Sequence, residues 1–209
     1  MKTYILLYLL LASSVFSLDL TKFKSGDLIF QTLSTSFGDG VQDTTKSDWA
    51  HVGILKWQDN DLFVVEATVP RVKITPIAKF LKNCKNKIAV TRLTYLDKDQ
   101  INKMIQRAET HLGKYYDTYF VLNDVNKLYC SELVYDALNH VLPNTFKSSP
   151  MDFSGALDYW KKYFKNRPIP QGEPGVSPED SYILKDSLLI YHYKKTTQQI
   201  YKFEKLYAK

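Results

Sequence analysis

Hydrophobic and polar positions change rhythm several times along this chain. Tyr4 to Ala12 is almost continuously apolar and follows a single positive residue, Lys2. Val15-Phe16-Ser17 then offers the small or aliphatic residues of a cleavage site, so the pattern predicts a secretory signal peptide over 1–17. The apolar run is shorter than the roughly 20 residues of an ordinary membrane span. No cysteine follows it to carry a lipid anchor, and no later segment is long and apolar enough to cross a bilayer. The expectation is one domain over 18–209, with a C-terminal strand and tail over 182–209.

Beyond the leader, short apolar runs alternate with turn-forming clusters. Gly26 to Gln31 predicts a first strand after a polar turn. Thr32 to Asp48 is rich in Ser, Thr, Gly and Asp, and reads as a loop that could wall a cleft. Ala50 to Trp57 and Leu62 to Ala67, separated by Asp59-Asn60-Asp61, predict a hairpin; Val69 to Thr75 extends the sheet, punctuated by Pro70 and Pro76. A short helix over Ile77 to Leu81 and a strand over Ile88 to Leu93 follow. Ile101, Met104, Ile105, Ala108 and Leu112 recur at helical spacing, so a helix over Lys98 to Leu112, capped by Asp97 or Asp99 and ended by Gly113, is expected. A second helix, Tyr129 to Val141, carries Leu133, Val134, Ala137, Leu138 and Val141 on one face and stops before Pro143. Asn166 to Ser181, with its prolines and glycines, reads as a long ordered loop or flap. A last strand lies near Leu188 to Tyr191. Strands and helices are mixed without regular alternation, which favours α+β over a doubly wound sheet.

Composition adds little to that picture. A hydrophobic fraction of 44% is ordinary for a globular domain. Loss of Lys2 with the leader takes the formal charge from +6 to +5. Such a mildly basic surface fits anionic envelope polymers or lipid headgroups, and equally a plain solvated exterior. Arginines interleaved with aromatics in the nucleic-acid manner are missing. The chain has two cysteines, Cys84 and Cys130. In an exported protein they could pair and block thiol chemistry, but two widely spaced cysteines make no disulfide framework. Cys84 falls in the polar stretch Lys82 to Lys87 and is expected to be exposed.

Three polar residues stand out against apolar surroundings. Cys130 opens the second helix, where unpaired amides and the helix dipole favour a thiolate. On that helix it also shares a face with Val134, Ala137 and Val141, as an inert core thiol would. His51 begins the strand containing Val52-Gly53-Ile54-Leu55, with Gly53 leaving open space on the same face. It could equally be a half-exposed strand-end histidine. Glu66 is the one charge in Leu62 to Ala67, on the partner strand, where it suits either an imidazole or a nearby cation such as Arg71. Asp117 is the rival third group. Glu132 sits on another side of the helix and suits capping instead. Metal-binding spacings, the serine nucleophile elbow and a phosphate-binding glycine loop are lacking, so no metal or cofactor is expected.

Taken together, Gly26-Asp27-Leu28-Ile29-Phe30, Ala50-His51-Val52-Gly53-Ile54, Val65-Glu66-Ala67, Tyr115-Tyr116-Asp117 and Tyr129-Cys130-Ser131-Glu132-Leu133 resemble, in that order, the permuted papain-like amidases. These form the YaeF/YiiX-type branch of the NlpC-like cysteine peptidase superfamily. Pro174 to Pro178 resembles their C-terminal part, and the likeness runs from Lys24 to Tyr193. The resemblance implies a circularly permuted papain-like fold: an antiparallel sheet or partial barrel with helices packed on it. It also implies Cys130 as nucleophile, His51 as base and Glu66 as orienting group, with Tyr129, Tyr116 and Asp117 toward the substrate. The Thr32 to Asp48 segment and the lysine-rich tail have no counterpart in it. The function expected is an exported, periplasmic or secreted cysteine hydrolase acting on envelope peptides or acyl amines. The alternatives are a lipid acyl hydrolase or acyltransferase with the same triad, and a catalytically silent binding module.

Overall fold

The computed structural model describes residues 19–194, so the expected leader over 1–17 and the tail beyond 194 lie outside the described residues. In chain order come β1 (Leu28–Leu33), α1 (Ser36–Thr45), β2 (His51–Gln58), β3 (Asp61–Ala67), β4 (Val72–Pro76), α2 (Ile77–Lys82), β5 (Cys84–Leu93), α3 (Lys98–Glu109), α4 (Cys130–Val141), α5 (Leu157–Phe164), α6 (Pro178–Tyr182) and β6 (Ser187–Lys194). The six strands form one antiparallel sheet in the order β6-β5-β1-β2-β3-β4. Its two ends are β6 and β4, and it does not close into a barrel.

Strand alternation gives the sheet two buried faces. Leu28 and Phe30 of β1, with Val52 and Ile54 of β2, pack against Met104 and Ala108 of α3, Leu133 and Ala137 of α4, and Trp160 of α5. Ile29, Leu55, Val64 and Val90 point the other way, onto Ile77, Phe80 and Leu81 of α2. The β2–β3 hairpin forms as the pattern requires, with Ile54 opposite Val65. Asp97 caps α3 in a reciprocal box with Gln100.

Several expectations are corrected. Thr32 to Asp48 is not all loop, because α1 occupies Ser36–Thr45, with Thr35 capping its start and Lys46 closing it in the left-handed region at φ 51°. Its Ser, Thr, Gly and Asp content argues against a helix in isolation. Phe37 and Val41 nevertheless place one apolar stripe against the core, and a Cβ on Gly40 would lie 2.5 Å from the Tyr159 ring. β5 begins at Cys84 rather than near Ile88, because Cys84 pairs with Leu33; Cys84 is therefore buried, not exposed. Among the described residues Cys84 and Cys130 are not joined by a disulfide. α3 ends at Glu109, and Leu112 is exposed beyond it. The Asn166 to Ser181 segment ends in α6, whose N-cap Ser177 accepts from the Asp180 amide. No helix among the described residues is long and apolar enough to cross a membrane.

Candidate active site

The site forms where the first turn of α4 meets the start of β2. Gln31 of β1 faces His51 in the sheet register and fixes the strand end from which the imidazole projects. On its other side, the β2–β3 hairpin brings Glu66 to the same ring: His51 Nε2 and Glu66 Oε2 are 2.6 Å apart, and both side chains are almost fully buried. Thr75 of β4 donates from Oγ1 to Glu66 Oε1 at 2.6 Å, so each carboxylate oxygen has a partner. Phe80 of α2 stacks on the imidazole with centroids 5.6 Å apart. These contacts leave His51 Nδ1 as the nitrogen available to Cys130, which lies near enough for thiol and imidazole to shift one another.

The electrostatics of the cluster reinforce one another. Burial alone would lower the His51 imidazolium, but the hydrogen bonds and charges of Cys130 and Glu66 outweigh it and push His51 up to about 10. Burial alone would raise the Cys130 thiol. Its hydrogen bond to His51, the imidazolium charge and the Val52 and Ser131 amides bring it below its ordinary value of 9.0. Burial would likewise raise Glu66, yet the His51 contact holds its carboxyl below 4.5. The arrangement favours a thiolate–imidazolium pair anchored on a carboxylate.

The other candidate residues separate. Tyr116 is half-buried beside His51 and close to Cys130; burial, then the Cys130 charge, pushes its phenol well above its ordinary range. Asp117 is buried, and its carboxylate accepts from the Tyr119 and Val121 amides at 2.9 and 2.6 Å, where it shapes a turn rather than reaching His51. Tyr129 is buried too, with its hydroxyl accepting from the Val176 amide, so it packs behind Cys130 instead of lining the cleft. Glu132 caps α4 by accepting from the Tyr129 and Asn123 amides. Gly53 does not open space either: a Cβ there would lie 2.3 Å from Val64 Cγ1, so the glycine serves close packing within the hairpin. Thr75 and Phe80 escape sequence reading, since a threonine in a strand and a phenylalanine in a short helix carry no signal of their own.

A cleft of about 530 Å³ adjoins the cluster, lined by His51, Tyr116, Phe37, Val69, Tyr163 and Lys82 among others. Its walls are mostly apolar, with a hydroxyl and an imidazole at the reacting end.

Residues 22–182 match the family described as permuted papain-like amidase enzymes, YaeF/YiiX, C92 family. The chain is 34% identical over 165 residues to YiiX of Escherichia coli K12, a protein named as uncharacterized, covering 75% of this chain and 80% of that one. A crystal structure of YiiX from Escherichia coli O157:H7, described there as a metalloprotein, superposes with a TM-score of 0.74 at 29% identity, covering 84% of this chain and 99% of that one. With its permuted order of histidine strand, carboxylate strand and cysteine helix, the chain belongs to the permuted papain-like amidases of the YaeF/YiiX family.

Proposed function

We propose that this protein is a cysteine hydrolase that cleaves amide bonds with Cys130 as nucleophile, His51 as base and Glu66 as the group that orients and charges the imidazole. The observation that carries this reading is the position of His51, held at Nε2 by Glu66 and close enough to Cys130 that the imidazole lowers the thiol and the thiol raises the imidazole. In the reaction the Cys130 thiolate attacks the amide carbonyl carbon, forming a C–S bond and an oxyanion. Collapse breaks the C–N bond, and the amine departs with the proton that His51 took from the thiol. Water then attacks the thioester while His51 removes its proton, releasing the acid and restoring the thiol. The Ser131 amide of α4, the Val52 amide of β2 and the Tyr116 hydroxyl are the donors offered to the oxyanion near the sulfur.

The solved relative is described as a metalloprotein. Among the described residues here, no three His, Cys, Asp or Glu side chains are grouped to hold a metal ion, so no step is assigned to one. The apolar cleft walls around Phe37, Val69 and Tyr163 also favour a second reading, an acyl ester or lipid amide in place of a peptide. Export through the leader, with action on cell-envelope peptides or acyl amines, completes the proposal.

The test is the rate of Cys130 alkylation against pH, read site by site by mass spectrometry, followed by turnover on a panel of peptides, acyl amides and lipid esters. Rapid labelling well below pH 8 that slows in His51→Ala, with amide turnover lost in Cys130→Ala, is expected. Ordinary thiol labelling and no turnover across the panel would leave a binding module. Ester turnover without amide turnover would select the lipid reading.

A further inference from the structure

Five of the nine large apolar side chains exposed among the described residues lie on just two segments, 69–72 and 112–127: Val69, Leu112, Tyr115, Val121 and Val125. The segments are stitched into one surface. The Val72 amide donates to the Lys114 carbonyl at 2.9 Å, Gly113 N to Val72 O at 3.0 Å, and Tyr116 N to Pro70 O at 2.9 Å. Tyr115 N reaches Asn126 O at 3.2 Å, which brings in the turn carrying Val125. The Arg71 guanidinium lies 3.9 Å from the centre of the exposed Tyr115 ring. Exposed apolar groups gathered in this way mark an interaction surface rather than ordinary scatter.

Cations surround them. Besides Arg71 there are Lys114 and Lys127, and Arg167 stacks 4.3 Å from the Tyr119 ring, with Lys127 over the same ring at 5.6 Å. Two carboxylates belong to the segments. Asp117 is buried and held by amides, and Asp124 accepts from Asn126 N within its own turn. The surface thus combines protruding Val and Tyr side chains with an excess of positive charge, the combination that anchors a protein in the headgroup layer of an anionic bilayer. It also adjoins the cleft, because Val69 and Tyr116 line the space beside His51.

We infer that segments 69–72 and 112–127 form a peripheral docking face for an anionic lipid surface, which brings the cleft mouth to the bilayer. The face can be tested apart from the reaction: Tyr116 and Val69 border the cleft, but Leu112, Tyr115, Val121, Val125 and the cations around them do not line it.

The experiment is hydrogen–deuterium exchange of the full chain with and without vesicles of phosphatidylcholine, or of phosphatidylcholine with phosphatidylglycerol. Protection of 112–127 by the anionic vesicles alone is expected, and it is a local readout to which residues 1–17 do not contribute. Val125→Asp should abolish that protection. Lys114→Gln with Lys127→Gln should weaken vesicle binding by roughly five-fold per cation removed, as should added salt. Cys130 alkylation in Val125→Asp should match the parent protein, which separates failure of docking from failure of the proposed chemistry. Absence of local protection, equal protection by neutral vesicles, or protection that survives Val125→Asp would overturn the inference. So would protection of this face by a protein partner in place of lipid.

Discussion

At the scale of single residues, the site is a chain of dependence that runs outward from sulfur. In the proposed mechanism the Cys130 thiolate depends on a cationic His51, His51 is held cationic by Cys130 and then by Glu66, and Glu66 is held by Thr75. The thiol is lowered below 9.0, so the thiolate persists as pH falls until that depressed value is reached; the imidazolium, raised to about 10, persists as pH rises to that point. Turnover should therefore be bounded by an acid limb below 9.0, where the thiol protonates, and an alkaline limb near 10, where the imidazolium is lost, whereas alkylation, which needs only the thiolate, should show the acid limb alone. Glu66→Gln keeps the shape and removes the charge, so His51 falls and Cys130 rises. The acid limb should move to higher pH and turnover should drop roughly 10²-fold; a limb that stays in place would mean Glu66 does not charge the pair. Thr75→Val leaves a buried carboxylate oxygen without its donor, at a cost of about 1–3 kcal/mol in chemical denaturation. Because Glu66 is depressed in the fold, its contribution is present above 4.5 and is lost as pH falls through the folded value. In Thr75→Val that loss should set in at a higher pH.

At the scale of elements, the hairpin β2–β3 carries two of the three groups, and its register decides whether they meet. Gly53 sits inside that hairpin where a Cβ would lie 2.3 Å from Val64 Cγ1 and 3.2 Å from the Val65 carbonyl. Gly53→Ala should destabilise the fold by about 1–3 kcal/mol, read as a fall in Tm of about 2–10 °C. It should also slow Cys130 labelling, because the shift is passed to Glu66. The hairpin was legible in the sequence since alternating apolar residues flank Asp59-Asn60-Asp61, and both polar members stand out in apolar strands. Cys130 was legible because it opens a helix whose apolar face is plain. α1 was not, because Gly38, Gly40 and three threonines or serines contradict helix propensity, and its stability comes from Phe37 and Val41 packing on aromatics distant in sequence. The position of Tyr129 was not legible for a related reason. Sequence places it next to Cys130, but the helix start turns consecutive side chains in different directions, and its hydroxyl ends on Val176.

At the scale of the whole molecule, Cys130 is brought to the start of β2 because α4 is packed onto the sheet, and one ionic cluster helps to hold it there. Asp136 of α4 accepts two hydrogen bonds from Arg107 of α3, at 2.8 and 2.9 Å, and a third contact from His111 Nε2 at 2.6 Å. Burial would raise the Asp136 carboxyl, but His111 and then Arg107 bring it down to about 2. The depressed value sets the sign: the cluster stabilises fully above the ordinary value of 3.8 and is lost as pH falls through about 2. Asp136→Asn should cost about 1–3 kcal/mol near neutral pH, less than a fully buried pair because the carboxylate is partly exposed. The Tm difference between parent and variant should shrink as the pH is lowered from 4 toward 2. Cys130 labelling should be preserved at low temperature and fail only near the lowered Tm, because Asp136 fastens α4 without touching the sulfur. If labelling fell at all temperatures while Tm held, α3 would be tuning the nucleophile directly instead of docking the helix that carries it.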